Sequence, residues 1–276
     1  SYDAIAEPQK AQALTEQMRS DDRFNWGYDP YHFNVPEGSY ASNADGVTRI
    51  KEMRAMNQSL HEMGLRVALD VVYNHTNASG LNGKSVLDKV VPGYYHRYDT
   101  LTGGIVRETC CDDTEPRNRM MEKFMQDSLV MWATQYKFDS FRFDIMSQAT
   151  KDTMLRLEAA VKAVDEDNYL YGEGWIKEDR GYEQATQINM AGTQIGTYND
   201  RIREAVRQGQ IFSREPSDSA LAAQDKVKMS LAGTLTDYIL EDYKGTASQT
   251  SNIGGYALDP ADIINYVSKH DNETLW

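Results

Sequence analysis

The sequence predicts an α/β protein built on a parallel sheet, a (β/α)8 TIM barrel that is incomplete. Apolar helical stripes alternate with short apolar strand runs, and polar residues collect where those runs end. The two clearest strands lie about thirty residues apart, the spacing of one βα unit in a barrel. An open doubly wound sheet is the competing fold, but no glycine-rich phosphate turn follows a strand. Clear strands end at Asp70, Asp144, Glu173, Asn199 and His270, fewer than the roughly eight of a closed barrel.

Residues 1–23 read as a linker or short surface helix: they are polar, carry only Ala13, Leu14 and Met18 as a helical stripe, and end in Asp21-Asp22-Arg23. The partial barrel is expected over 24–276. Val47, Ile50, Met53, Met56, Leu60 and Met63 recur at helical steps, and Gly64 supplies the stop. Val67-Ala68-Leu69-Asp70-Val71-Val72 follows as a strand of the kind buried on both faces. After a polar loop over roughly 76–118, Met121, Phe124, Met125, Leu129, Trp132 and Tyr136 mark a second helix. It feeds Phe138-Asp139-Ser140-Phe141-Arg142-Phe143-Asp144, where alternation puts Arg142 and Asp144 on one face and Phe141, Phe143 and Ile145 on the other. Met154, Leu157, Val161 and Val164 mark a third helix before the strand Tyr169-Leu170-Tyr171-Gly172-Glu173-Gly174-Trp175. Ile195 to Asn199 is a weaker strand leading into a helix over 201–208. Residues 209–255, polar around an apolar patch at Leu231 to Leu240, read as a long insertion, and Ile263 to Ser268 is the last strand.

The formal charge of −13 argues against a surface that tracks phosphates, so nucleic acid is not an expected partner. The 40% apolar content of 276 residues is enough to fill one large core. The adjacent Cys110-Cys111 pair cannot form a disulfide framework or a four-ligand zinc site; two free thiols or one strained link are the readings left. No run of about eighteen apolar residues is present, so no transmembrane segment is expected. The start Ser1-Tyr2-Asp3-Ala4 lacks a secretion signal and reads as cut from something longer.

Two acids delivered by neighbouring strand ends fit acetal cleavage, in which one carboxyl protonates the leaving oxygen and a second, in retaining enzymes, attacks the anomeric carbon. Arg142, two residues before Asp144, is expected to keep that aspartate ionised, as a nucleophile requires. Glu173, flanked by glycines and close to Trp175, is expected in a less polar pocket that keeps it protonated, as an acid requires.

Asp70-Val71-Val72-Tyr73-Asn74-His75, Phe141-Arg142-Phe143-Asp144, Tyr171-Gly172-Glu173-Gly174-Trp175 and Val267-Ser268-Lys269-His270-Asp271-Asn272 together resemble the four short regions of the alpha-amylase superfamily, glycoside hydrolase family 13. Phe24-Asn25-Trp26-Gly27-Tyr28-Asp29-Pro30 resembles the signature of type I pullulanases, with Phe24 in place of Tyr. Pro36-Glu37-Gly38-Ser39-Tyr40 and Cys110-Cys111-Asp112-Asp113 are similar to the Gram-negative members, and Ser140 stands where the family usually has Gly.

The resemblance implies a retaining hydrolase of α-1,6 branch linkages in pullulan, amylopectin and limit dextrins. Asp144 would be the nucleophile, Glu173 the general acid/base and Asp271 a third carboxylate that stabilises the oxocarbenium-like transition state. Asp70, His75, Arg142 and His270 would bind sugar hydroxyls or orient the acids, Tyr28 would stack on the ring, and Trp175 would line the far side of the scissile bond. It requires no cofactor; Asn74 occupies a position that binds calcium in many amylases, which leaves calcium open. The partner implied is an α-glucan, and the location extracellular or at a bacterial cell surface. An isoamylase-like or α-1,4-specific hydrolase is the alternative within the class. A fragment that binds α-glucan without catalysis, or does not fold alone, is the alternative outside it.

Overall fold

The apolar runs form one parallel sheet and the apolar stripes form helices packed on it. The computed structural model describes residues 8–21, 26–176, 179–208, 211–215 and 217–271. Phe24, Asn25 and Asn272 of the motifs therefore lie outside the described residues. In chain order the elements are α1 (Pro8–Met18), α2 (Thr48–Glu62), β1 (Ala68–Val71), β2 (His75–Thr76), α3 (Leu87–Val90), β3 (Asp112–Asp113), α4 (Arg119–Gln135) and β4 (Ser140–Phe143). They continue as α5 (Lys151–Lys162), β5 (Tyr169–Gly172), α6 (Gln187–Met190), β6 (Gly196–Asn199), α7 (Asp200–Gln208), α8 (Asp218–Leu231), β7 (Ile239–Glu241), β8 (Ala247–Gln249) and β9 (Ile263–Asn265).

The main sheet has five strands in the order β1-β4-β5-β6-β9, every neighbouring pair parallel, an arc of the expected barrel. Its register aligns Leu69, Phe141 and Leu170 in one row and Asp70, Arg142 and Tyr171 in the next, and the pleat sends these rows to opposite faces. Phe141 and Leu170 are fully buried against Met121, Met125 and Leu129 of α4 and Met154, Leu157 and Val161 of α5. Each such side chain contributes roughly 1.5–3 kcal/mol. The row carrying Arg142 is thereby committed to the polar face, because a one-residue slip would move Phe141 out of the core.

Local signals set the boundaries. Gly64, at φ 76°, follows α2 in the left-handed conformation that ends helices. Thr150 caps α5 by accepting from the Thr153 N–H, and Ser217 caps α8 by accepting from that of Ala220. The loop over 76–118 is more structured than its composition predicts. β2 and β3 pair antiparallel, His75 opposite Asp113, and a two-residue ladder leaves no periodic signature in a sequence. Within 209–255 the chain forms α8, whose buried stripe is mostly small (Ala220, Ala223, Met229), and the hairpin β7–β8. Leu231 and Ile239 of the apolar patch are exposed. The last strand stops at Asn265, three residues earlier than predicted, and the chain bends through Asp271. Among the described residues no helix is long and apolar enough to cross a membrane.

Candidate active site

Asp144 lies one residue beyond β4 and stays on the sheet, its N–H donating to Val71 O at 3.0 Å. Arg142 precedes it on the polar row with only 4% of its side chain exposed. Its Nη1 lies 2.9 Å from Asp70 Oδ1 and 3.2 Å from Asp144 Oδ1, and its Nη2 lies 2.7 Å from Glu173 Oε1 in an ion pair outside hydrogen-bond alignment. Burial works against this charge, but Glu173 and Asp70 outweigh it and hold the guanidinium more firmly protonated than usual.

Ile145 departs from the predicted alternation. Its φ of 38° lies in the left-handed region, unfavourable for a β-branched residue, and it turns the chain out of the strand. Its N–H then donates to Glu173 Oε2 at 3.1 Å, and the residue lines the cavity instead of joining Phe141 and Phe143 in the core. A strained residue is thus spent on holding a carboxylate.

Glu173 follows β5, its N–H donating to Phe143 O at 3.1 Å and its carbonyl accepting from Ser147 N at 3.2 Å. Its flanking glycines are required by close approach: a Cβ on Gly172 would lie 2.6 Å from Phe143 O, and one on Gly174 2.7 Å from Gln187 N. Gly172→Ala and Gly174→Ala are each expected to cost about 1–3 kcal/mol of stability, read by urea unfolding. A variant with the wild-type midpoint would show that the backbone gives way and that these glycines do not fix Glu173.

The surroundings of both acids differ from expectation. Glu173 sits between two cations, Arg142 and Lys269, rather than in a less polar pocket; the Lys269 Nζ contacts Oε1 and lies 3.4 Å from Asp271 Oδ2. Asp144 is held above the ordinary carboxylate range, chiefly by burial, with the Asn74 Nδ2 hydrogen bond at 2.9 Å opposing and the Glu173 charge adding. Arg142 does pair with Asp144, yet it is shared among three acids, while desolvation acts on Asp144 undivided.

The remaining predicted residues converge on the same place. Tyr28 donates its hydroxyl to Asp70 Oδ2 and stacks on His270 with ring centroids 4.6 Å apart, so one aromatic face is covered by protein. Burial first, and the Asp70 contact second, hold that hydroxyl well above its usual range. His75 is buried, with Nε2 2.6 Å from Tyr28 O, and His270 Nε2 stands 3.6 Å from Asp271 Oδ1. Trp175 is half-buried, its carbonyl accepting from the Ser147 hydroxyl. Tyr28, His75, Asp144, Glu173, Trp175, His270 and Asp271 line one cavity of about 690 Å³, while Asp70 and Arg142 reach it through Tyr28, Asp144 and Glu173.

Asn74 by itself does not make a calcium site: its Oδ1 faces His75 Nδ1 at 2.5 Å and its Nδ2 is given to Asp144, whereas that ion takes about 6–8 oxygen ligands. Asp29, His75, Cys110 and Cys111 place donor atoms within 4.8 Å of one another, but Cys110 and Cys111 are joined by a disulfide, which is the single-link reading, and the bond takes both sulfurs out of the set.

The pullulanase of Klebsiella pneumoniae is 44% identical over 97% of this chain, and pullulanase 1, chloroplastic, of Arabidopsis thaliana is 37% identical over 97%. The crystal structure of the maltotriose complex of PulA from Klebsiella pneumoniae superposes with a TM-score of 0.89 over 98% of this chain at 43% identity. This chain belongs to the pullulanase family. It spans 27% and 32% of the length of the two curated relatives and 32% of the solved chain. No family model matches it.

Sequence reasoning on the pullulanase motifs missed Lys269, Tyr198 and Tyr266. Lys269 stands inside a quoted motif, but its contact with Glu173 spans 96 residues and no local pattern reports it. Tyr198 could have been found by parity along β6: its ring lies 5.7 Å from the Arg142 guanidinium and 5.1 Å from Lys269 Nζ.

Proposed function

We propose that this chain carries the catalytic centre of a retaining glycoside hydrolase that cleaves α-1,6 branch linkages in pullulan, amylopectin and limit dextrins. The observation that carries the reading is that one guanidinium brackets Asp144 and Glu173, from neighbouring strand ends, at a cavity that Asp271 shares. Asp144 attacks the anomeric carbon, Glu173 gives its proton to the departing oxygen, and water, deprotonated by Glu173, then releases the sugar from Asp144 with net retention. Asp271, more than half exposed at the cavity, meets the positive charge that develops on the ring. His75 and His270 at the cavity offer the polar atoms that sugar hydroxyls need, Asp70 and Arg142 orient Tyr28 and the two acids from behind, and the half-buried Trp175 offers a flat apolar face for a glucose ring.

The maltotriose complex of the Klebsiella protein supports an α-glucan occupant for this cavity. The Cys110–Cys111 bond supports an oxidising location, at or outside the cell surface. The intact protein is expected to release maltotriose from pullulan, to leave amylose intact, and to give a first-formed product of retained configuration by proton NMR. Cleavage of amylose in preference to pullulan would reject the linkage, and inversion would reject the roles of Asp144 and Glu173.

A further inference from the structure

We propose that reduction of the Cys110–Cys111 bond opens a site for a thiophilic divalent cation of the Zn²⁺ class at the wall of the sugar cavity, and that the bound ion closes the cavity to substrate. Its ligands are the two sulfurs, His75 Nε2 and an Asp29 carboxylate oxygen. The inhibition rests on the reading of the cavity as the substrate's; the binding does not.

Among the described residues these four make the one group of acids, histidines and cysteines whose donor atoms all lie within 4.8 Å of one another. The spacing already suits the ion. Tetrahedral zinc, with bonds of about 2.3 Å to sulfur and about 2.0 Å to nitrogen or oxygen, sets a sulfur roughly 3.5 Å from each lighter donor. Cys110 Sγ stands 3.6 Å from His75 Nε2 and 3.5 Å from Asp29 Oδ1, and Cys111 Sγ stands 3.4 Å from the same oxygen. Only the two sulfurs are too close, because they are bonded. Two thiolates on one zinc stand roughly 3.8 Å apart, so breaking that bond is the change the set needs. His75 is buried, with Nδ1 on Asn74 Oδ1 at 2.5 Å. A ligating histidine usually gives its other ring nitrogen to such an acceptor, which fixes the ring.

A reductant has access, since Cys110 is exposed and lines the cavity. A dithiol supplies two electrons and two protons, breaks the Sγ–Sγ bond, and leaves as its own disulfide. The two thiols formed then lose their protons to solvent as the ion takes them as thiolates. Two sulfurs and an imidazole select Zn²⁺ over the hard cations Ca²⁺ and Mg²⁺.

Occupancy reaches the sugar site through His75. Its Nε2 stands 2.6 Å from Tyr28 O, and an ion on that nitrogen replaces this contact. Tyr28, His75 and Cys110 all line the cavity, and Tyr28 also stacks on His270 and meets Asp70. The ion therefore withdraws His75 from sugar hydroxyls and removes a tether of Tyr28.

The intact protein, treated with a phosphine that is then removed without air, is expected to show two more thiols per chain than the Cys110→Ser/Cys111→Ser double variant. It should bind one Zn²⁺ more than the oxidised protein and, with Co²⁺ instead, show the near-ultraviolet charge-transfer absorption of a cobalt thiolate. Zn²⁺ then lowers its kcat/KM on pullulan about tenfold or more, the scale of one lost hydrogen bond to a sugar, and a chelator restores it. The oxidised protein in the same Zn²⁺ keeps its activity, which separates this site from zinc on Asp144, Glu173 and Asp271. No gain of thiols, equal zinc in the oxidised and reduced proteins, or a cobalt spectrum without the thiolate band overturns the site. Extra zinc with undiminished hydrolysis overturns the closure of the cavity. A protein that does not hydrolyse pullulan before reduction would instead fail the functional reading, and the zinc count would still decide the site.

Discussion

Asp144→Asn is expected to lower kcat on pullulan by at least about 10⁴-fold and, at neutral pH, to raise the melting temperature. The amide has the size and the acceptor of the carboxylate, so the Asn74 Nδ2 contact and the end of β4 survive, but it has no charge with which to attack an anomeric carbon. The stability gain follows from burial. The Asp144 pKa is raised in the folded state, so the folded chain binds that proton more tightly than the unfolded one, and stability is lost as pH rises through the folded value. An amide does not titrate. The variant therefore melts higher at pH 7 and loses the advantage below the ordinary aspartate range, roughly pH 4. Maltodextrin binding should persist, because Asp70, His75 and His270 are untouched. Thermal melts at both pH values, with kinetics, check this; a lower melting temperature at pH 7 would mean that the Arg142 pair outweighs desolvation at Asp144, and near-normal activity would remove Asp144 from the mechanism.

The nucleophile's strand was legible in the sequence because two periodicities coincide there: Phe141 must face the helices, which fixes the face of Arg142, and the run stops at an acid. Glu173 and its glycines were legible for a comparable reason, since only glycine tolerates a neighbouring carbonyl at 2.6 Å, and such positions leave a sequence signature. The charge states of the acids were not legible. Which of them is desolvated and which is met by cations depends on Lys269, 96 residues from Glu173, and on how one guanidinium is divided. Ile145 was misplaced because alternation has no term for a strand that ends in a left-handed turn. The β2–β3 pairing, which is continuous with the Cys110–Cys111 link beside His75, was invisible for want of length.

Arg142→Met is expected to remove activity and to destabilise the protein by about 3–5 kcal/mol at neutral pH. The side chain is 4% exposed and methionine fills much of its volume, so lost packing is the smaller part of the effect. The larger part is charge. Asp144 and Glu173 keep 11% and 4% of their side chains exposed, and without the guanidinium they face each other across a site that has already pushed Asp144 toward protonation. Asp70, at 42% exposure, is partly served by water and contributes less. Of the three acids that Arg142 serves, Lys269 meets only Glu173, and one ammonium does not replace a planar fork. Deprived of the cation that opposes its burial, Asp144 takes up its proton in the folded state at still higher pH than in the unfolded chain, so the variant recovers stability relative to wild type as pH falls into the carboxylate range. Arg142→Lys should restore little of either property, because one ammonium cannot span the positions that Nη1 and Nη2 occupy between Asp70, Asp144 and Glu173. Urea unfolding at pH 7 and near pH 4.5 separates the causes. A loss that is equal at the two pH values would assign Arg142 to packing, and the guanidinium would then no longer explain why two acids can share this cavity.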